Sequence, residues 1–302
     1  MSKVDQLFAY ARSHHPRSVR GMEEALAVHP ERFRSLTERM LDRLEPVLGD
    51  EMYQRSLGAF VRFSEGVIFS QARYERDGAY ENKSYDEVNA SLYSQRSEMD
   101  DYLWGVYLTN TLWAHHMELT LFYIDRFLNR QGSKDQALRI VELAPGHGGW
   151  GQMALDAFPQ ATLNGYDISP SSMAIARSLA DASGVGERAE YFQCNALDMV
   201  NQDGGYADLC ICNFLVEHLE TPQDLLHSIA HVLKPGGWAF FSGALTAAQI
   251  DHIYEFTHES ELMVLAENAG LRVVESMSKG PQRTLKRAKY LPRSMSLILH
   301  KK

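Results

Sequence analysis

Cysteine is scarce in this chain: there are three in 302 residues, Cys194, Cys210 and Cys212. They are too few and too unevenly placed for a disulfide framework, and Cys210 and Cys212 sit inside an apolar run, so reduced core residues are expected. A C-x-C pair would need two further ligands to hold a metal, and no spacing suggests them, so no metal site is expected. Long apolar runs are also missing. None reaches the roughly eighteen residues of a membrane span, and the opening "MSKVDQLFAYARSHHP" lacks the apolar core of a secretion signal. A cytoplasmic protein with no membrane partner is expected. Positive charge is in deficit, with 30 Lys and Arg against 39 Asp and Glu, and a formal net charge of -9 disfavours a nucleic-acid partner. There are no internal repeats. The remaining composition, 45% hydrophobic and 23% charged, is that of a globular chain long enough for one large domain or two ordinary ones.

What is present falls into two halves. Residues 1 to about 135 carry helix signals and no good strand. "HPERFRSLTERMLDRLEPVLG" places Phe33, Leu36, Met40, Leu41 and Leu44 at helical spacing, and a second helical run covers about 50 to 75. From about Glu98 to Arg130 apolar residues recur at i, i+3, i+4 and i+7, which predicts one helix roughly 45 Å long. After the polar break "NRQGSKDQA" the pattern changes. Short apolar runs ("LRIVELA", "ATLNGYDI", "AEYFQCNA", "YADLCICNFL", "GWAFFSGAL") alternate with helical ones, and "GLRVVESMS" and "RSMSLILHKK" follow as two more strand candidates. Such alternation means crossover units and a parallel sheet. The expected fold is α/β, with a helical region at 1–135 and an α/β domain at 136–302.

The stretch "RIVELAPGHGGWGQMALDAF" holds Gly146, Gly148 and Gly151 as G-x-G-x-x-G between a strand-like and a helix-like run. A glycine turn of this kind brings a ligand close to the backbone and to helix N-terminal amides, in dehydrogenases and other nucleotide binders alike. Its neighbours narrow the choice. Glu142, on the strand before the turn, suits a cationic part of a ligand. Asp167, about 20 residues further on at the end of the next strand, stands where an acid grips a ribose diol. Asn195 follows the third strand and could meet an adenine edge. Glu217 and His218 follow the fourth strand, and the turn Lys234-Pro235-Gly236-Gly237 leads into the fifth.

In this order "VELAPGHGG", "YDIS", "CNA", "LVEHL" and "LKPGGWAFF" resemble the motif series of the class I, Rossmann-like S-adenosylmethionine-dependent methyltransferases, over about residues 138 to 302. The resemblance implies a seven-stranded, mostly parallel sheet whose last strand is antiparallel and inserted beside the fifth, with S-adenosylmethionine as cofactor. By position it implies that the backbone from Ala144 through Gly146 and His147 to Gly148 passes the methionine part and that Glu142 favours its ammonium. Asp167 would hold the ribose and Ile168 the adenine. Asn195 and Ala196 would edge that ring, and Asn213 and Phe214 would border the sulfonium. Two departures stand out: Ala144 replaces the first family glycine, and Asn195 replaces the usual acid.

Methyl transfer needs the nucleophile held close and aligned, and needs a base only for some acceptors. His218, Glu217 and His116 are the candidate catalytic residues. His147, within the glycine turn, is a weaker one. The aromatic-rich helices, with Tyr80, Tyr85, Tyr93, Trp104, Tyr107, Trp113, His115, His116 and Tyr123, are expected to cap the site and meet the substrate. Tyr107, Trp113, His115, His116, His252 and Tyr254 are the candidate substrate contacts, with His258 behind them. The basic loop 279–293, with Lys279, Arg283, Lys286, Arg287, Lys289 and Arg293, reads as a solvated hairpin, or as a recruiter of a carboxylate-bearing or phosphorylated acceptor or of a partner protein. The expected activity is O- or N-methylation of a small secondary or amino-acid-derived metabolite. S-methylation of a thioether amino acid, a silent methyltransferase-like partner subunit and, last, a nicotinamide-dependent oxidoreductase are the alternatives. Homo-oligomerisation is left open.

Overall fold

The computed structural model describes residues 1–89, 96–284 and 287–302. Tyr93 and Lys286 lie outside the described residues. Among the described residues seven α-helices come first: α1 (Lys3–His14), α2 (Val19–Val28), α3 (Pro30–Leu48), α4 (Met52–Asp77), the single turn α5 (Tyr85–Val88), α6 (Arg96–Leu112) and α7 (Ala114–Phe122). Pro30 opens α3 at a position where no amide is needed, its stripe Phe33, Leu36, Met40, Leu41 and Leu44 is buried, and Gly49 ends it at φ 57°. Among the described residues no helix is long and apolar enough to cross a membrane.

The long helix expected over 98–130 is broken. Trp113 takes an extended conformation, its indole donates to Ser64 Oγ at 3.1 Å, and its ring stacks on Phe63. The reason is that one apolar stripe serves two cores. Met99, Leu103, Leu108, Leu112 and Met117 pack among the N-terminal helices, whereas Phe122, Tyr123, Phe127 and Leu128 pack under the sheet. A straight helix could not reach both. Where α6 crosses α4 the approach depends on Gly105, at which an added Cβ would lie 2.8 Å from Ala59 O and 2.9 Å from Phe63 Cβ. Gly105→Ala is therefore expected to destabilise the chain by about 1–3 kcal/mol, lowering its melting temperature by about 2 °C or more in thermal denaturation.

The sheet begins with β1 (Arg139–Leu143), followed by α8 (Gly149–Ala157), β2 (Thr162–Asp167), α9 (Pro170–Ala182), β3 (Ala189–Gln193), β4 (Ala207–Asn213), α10 (Pro222–Val232), β5 (Leu233–Leu245), α11 (Glu259–Asn268), β6 (Leu271–Lys279) and β7 (Arg293–Lys301). Strand order is β3-β2-β1-β4-β5-β7-β6. All pairs are parallel except those of β7, which runs antiparallel between β5 and β6, as expected. From β1 the chain winds outward to β2 and β3, then returns to β4 and winds the other way. That reversal opens a crevice beyond the carboxyl ends of β1 and β4, where open α/β sheets take their ligands.

Candidate functional site

A single cavity of about 1070 Å³ lies over that crevice. Its floor is the ends of β1, β2 and β4, its roof is α4, α6 and the start of α7, and residues 281–284 with Ala288, Tyr290 and Pro292 close one side. The basic loop is tied down. Arg283 pairs with Glu24, Lys279 with Glu118 at 2.7 Å and Arg293 with Glu259 at 2.9 Å, and the amides of Lys289 and Tyr290 donate to Glu75.

At the floor, Ala144 and Gly146 have φ of 52° and 53°, and Gly146 N donates to Asp167 Oδ2 at 3.1 Å. Ser169 N donates to Asp167 Oδ1 at 2.8 Å. A carboxylate has about four lone-pair sites, so Asp167 keeps two for a ligand on the cavity side. Burial pushes its carboxyl up to about 6. Glu142 Oε1 accepts from Gly151 N at 3.1 Å, while Oε2 is buried without a hydrogen-bond partner. Burial raises its carboxyl to about 8, with the charge of Asp167 adding to the effect. A Cβ at position 151 would collide with this carboxylate and come 2.7 Å from Leu163 Cδ2, which is why a glycine opens α8 here. Asn213 Oδ1 accepts from Ser242 Oγ at 2.7 Å and leaves its buried Nδ2 as a donor without a partner. Phe214 sits at φ 53° and stacks on His116 at 5.1 Å.

Ile168, Asn195 and Ala196 line the Asp167 end of the cavity, and Ile168 is exposed. Asn195 Oδ1 caps the following turn by accepting from Leu197 N at 3.0 Å, so only its amide nitrogen or its backbone remains for a ligand. His147 also lines the cavity, accepting from Gly149 N at 3.0 Å, and burial lowers it to about 4, so the ring is neutral.

At the other end Glu217, His218 and His252 meet, although His252 lies on the irregular segment between β5 and α11. Both oxygens of Glu217 are buried without hydrogen bonds, and burial pushes this carboxyl up to about 7. His116, half-buried in the roof, bonds Thr109 Oγ1 and Ser294 Oγ at 3.2 Å each, and burial holds it well below its usual value. His115 and Trp113 stack beside it and line the same space.

Three expected contacts do not reach the cavity. Gly148 turns into the body of the domain, with Ala176 and Tyr191 next to it, because its φ of 72° starts α8. Tyr107 is fully buried in the helical core, packed edge-on against His147. Tyr254 faces outward and packs on Phe256, its amide bonded to the Glu217 carbonyl at 3.0 Å. Asp251, 0% exposed beside His218, was not expected, since an acid in a polar loop carries no sequence sign of burial.

A profile of the methyltransferase domain matches residues 140–237. Among curated relatives, a ubiquinone biosynthesis O-methyltransferase of Bordetella avium is 29% identical over 157 residues, 45% of this chain and 63% of that protein. One from Coxiella burnetii is 27% identical over 134 residues, 38% of this chain and 56% of that protein. The chain therefore spans a little over half the length of the curated relatives it matches. The solved structure of an O-methyltransferase family protein from Burkholderia thailandensis aligns with a TM-score of 0.57 at 18% identity, covering 81% of this chain and 71% of that one, a likeness of fold. The nicotinamide reading of the glycine turn is thereby set aside. Residues 140–237 match a methyltransferase domain, and they lie on a sheet with the strand order and antiparallel β7 expected of the class I, S-adenosylmethionine-dependent type.

Proposed function

We propose that the protein transfers a methyl group from S-adenosylmethionine to the hydroxyl oxygen of a small organic acceptor. One observation carries this reading: a single cavity joins the Asp167 end to the buried Glu217-His218-His252 cluster, past Asn213 and Phe214. When bound, S-adenosylmethionine supplies a methyl group on a positively charged sulfur. The residues fit that group. The orphaned Glu142 Oε2 is an acceptor for the methionine ammonium, and the orphaned Asn213 Nδ2 is a donor for its carboxylate. Asp167 holds the ribose diol with its two remaining lone-pair sites, Ile168 and Ala196 flank the adenine, and Asn195 edges it.

The roof then aligns the acceptor. Phe63, Val106, Trp113 and Phe214 offer apolar surface around the path of transfer, which favours an acceptor with an apolar or aromatic body. Methyl transfer to an alcohol or phenol forms one O–C bond, breaks one S–C bond and releases the hydroxyl proton. That proton leaves at the Glu217-His218-His252 cluster, which lines the acceptor end. A thioether would release no proton, whereas an amine would also lose one, so turnover on an acceptor panel is what separates hydroxyl from amine acceptors.

The experiment is turnover. S-adenosylhomocysteine release is measured against a panel of phenols, alcohols, amines and thioethers. Turnover confined to hydroxyl acceptors supports the proposal. Methylation of amines or thioethers alone refutes it, and cofactor binding without any turnover favours a silent partner subunit. The buried carboxyls add a prediction about protons. Glu142 is protonated in the free protein near neutral pH, because burial raises it to about 8. An ammonium beside it favours the ionised form, so binding of S-adenosylhomocysteine at pH 7 is expected to release close to one proton. Calorimetry in buffers of different ionisation enthalpy measures this directly, and no proton release would remove the Glu142 assignment.

A further inference from the structure

The cluster at the acceptor end has the make-up of a metal site. Glu217, His218 and His252 each present one ligand atom, and these atoms all lie within 4.8 Å of one another. The cluster is an interior one: Glu217 and His252 are 1% exposed and His218 9%. Both Glu217 oxygens lack hydrogen-bond partners, an arrangement that is costly for a buried carboxylate without a cation. His252 Nδ1 donates to the Ala247 carbonyl at 2.6 Å, which leaves the lone pair on Nε2, and it is Nε2 that lies 4.0 Å from Glu217 Oε1. His218 Nδ1 donates to the Asp251 carbonyl at 3.0 Å, with Asp251 Oδ2 at 3.5 Å. Metal-bound imidazoles are commonly oriented in this way, by a carbonyl or carboxylate on the second nitrogen. Asp251 is itself 0% exposed with both oxygens unpartnered, so two buried carboxylates stand around two imidazoles. One divalent cation matches that charge.

We propose that Glu217, His218 and His252 bind a divalent transition-metal ion, with Asp251 orienting His218. Two imidazoles and one carboxylate suit zinc, iron(II), cobalt or manganese, whereas magnesium and calcium prefer all-oxygen sites. With bonds of about 2.1 Å a tetrahedral site has ligand atoms about 3.4 Å apart, so Glu217 and His252, 4.0 Å apart, and the cluster as a whole, within 4.8 Å, would draw together on a bound ion. All three side chains line the cavity, so the remaining coordination position faces the space assigned to the acceptor. There a cation would hold the acceptor oxygen and draw off its proton to solvent, with Glu217 serving as a ligand. The role beside the acceptor rests on the methyl-transfer reading; metal binding itself does not.

The test is a Co²⁺ titration of the full chain after chelation and dialysis. One Co²⁺ per chain, with the visible absorption of low-coordinate cobalt and displacement by Zn²⁺, is expected. X-ray absorption of the zinc-loaded wild-type protein should show scattering from two imidazoles. Glu217→Gln and His252→Gln should each weaken Co²⁺ binding at least tenfold while binding of S-adenosylhomocysteine is retained, which checks folding and the cofactor reading separately. If a substitution unfolds the chain, the wild-type zinc spectrum decides alone. The proposal is overturned by wild-type protein that takes up no stoichiometric Co²⁺, by zinc without an imidazole shell, or by undiminished binding in both folded variants. Metal uptake by a chain that binds no S-adenosylhomocysteine would sustain the metal site and sink the proposed function.

Discussion

Replacing Asp167 with alanine is expected to weaken S-adenosylhomocysteine binding by about ten- to a hundredfold, since hydrogen bonds to a charged group contribute about 1.5–3 kcal/mol. The carboxylate is already pinned by the amides of Gly146 and Ser169, so a bound diol meets an acceptor that needs no reorganisation. Calorimetry on the wild type and on Asp167→Ala, with circular dichroism to confirm that both fold alike, measures the loss. Equal affinities would show that the ribose lies elsewhere. A pH series adds a second reading. Burial sets the free Asp167 carboxyl at about 6 and Glu142 at about 8, and the ligand favours both in the ionised form. Affinity should therefore level off near pH 8, fall with a slope of one proton released on binding as pH drops from 8 toward 6, and fall more steeply below 6. Asp167→Asn should lose the steeper limb and keep the shallower one.

Glu217→Gln is expected to lower kcat by about a hundredfold or more, the size of effect seen when a group that manages the acceptor's proton is removed. The substitution keeps the shape of a side chain that is 1% exposed and replaces an unpartnered carboxylate with an uncharged amide, so folding should survive. The informative pattern is a fall in kcat with S-adenosylhomocysteine affinity unchanged, because a residue of merely structural importance in this cavity would disturb both. A variant with full turnover would detach the cluster from the chemistry and leave positioning by the roof helices as the sole contribution at that end.

Much of the site was legible because its parts are local. Glu142, the glycine turn, Asp167 and the Asn213-Phe214 pair each stand at the end of a strand, and an apolar run followed by a turn marks such an end in the sequence. Even so, Gly148 shows the limit of spacing. A glycine can be required for the φ that starts a helix without lining the cavity. Tyr107 and Tyr254 show the same for aromatics, since helical spacing does not say which side of a helix meets a cavity and which meets core.

The alternation of strand and helix after residue 138, the place of the glycine turn and the acids beside it were determined by the sequence alone, because each depends on contacts within a few residues or on one crossover unit. Tertiary structure alone decided the rest. The helix over 98–130 breaks at Trp113 because its stripe must satisfy two separate cores, which periodicity cannot distinguish from one. Residues 280–284 and 287–292 cease to be free because Arg283 meets Glu24 and the amides of Lys289 and Tyr290 meet Glu75, both from distant helices. Asp251 and His252 join Glu217 and His218 across more than thirty residues because the segment after β5 folds back over the end of β4, its amides bonding the Glu217 carbonyl. Burial then gives those four side chains their chemistry, and burial is a property of packing that no short stretch of sequence contains.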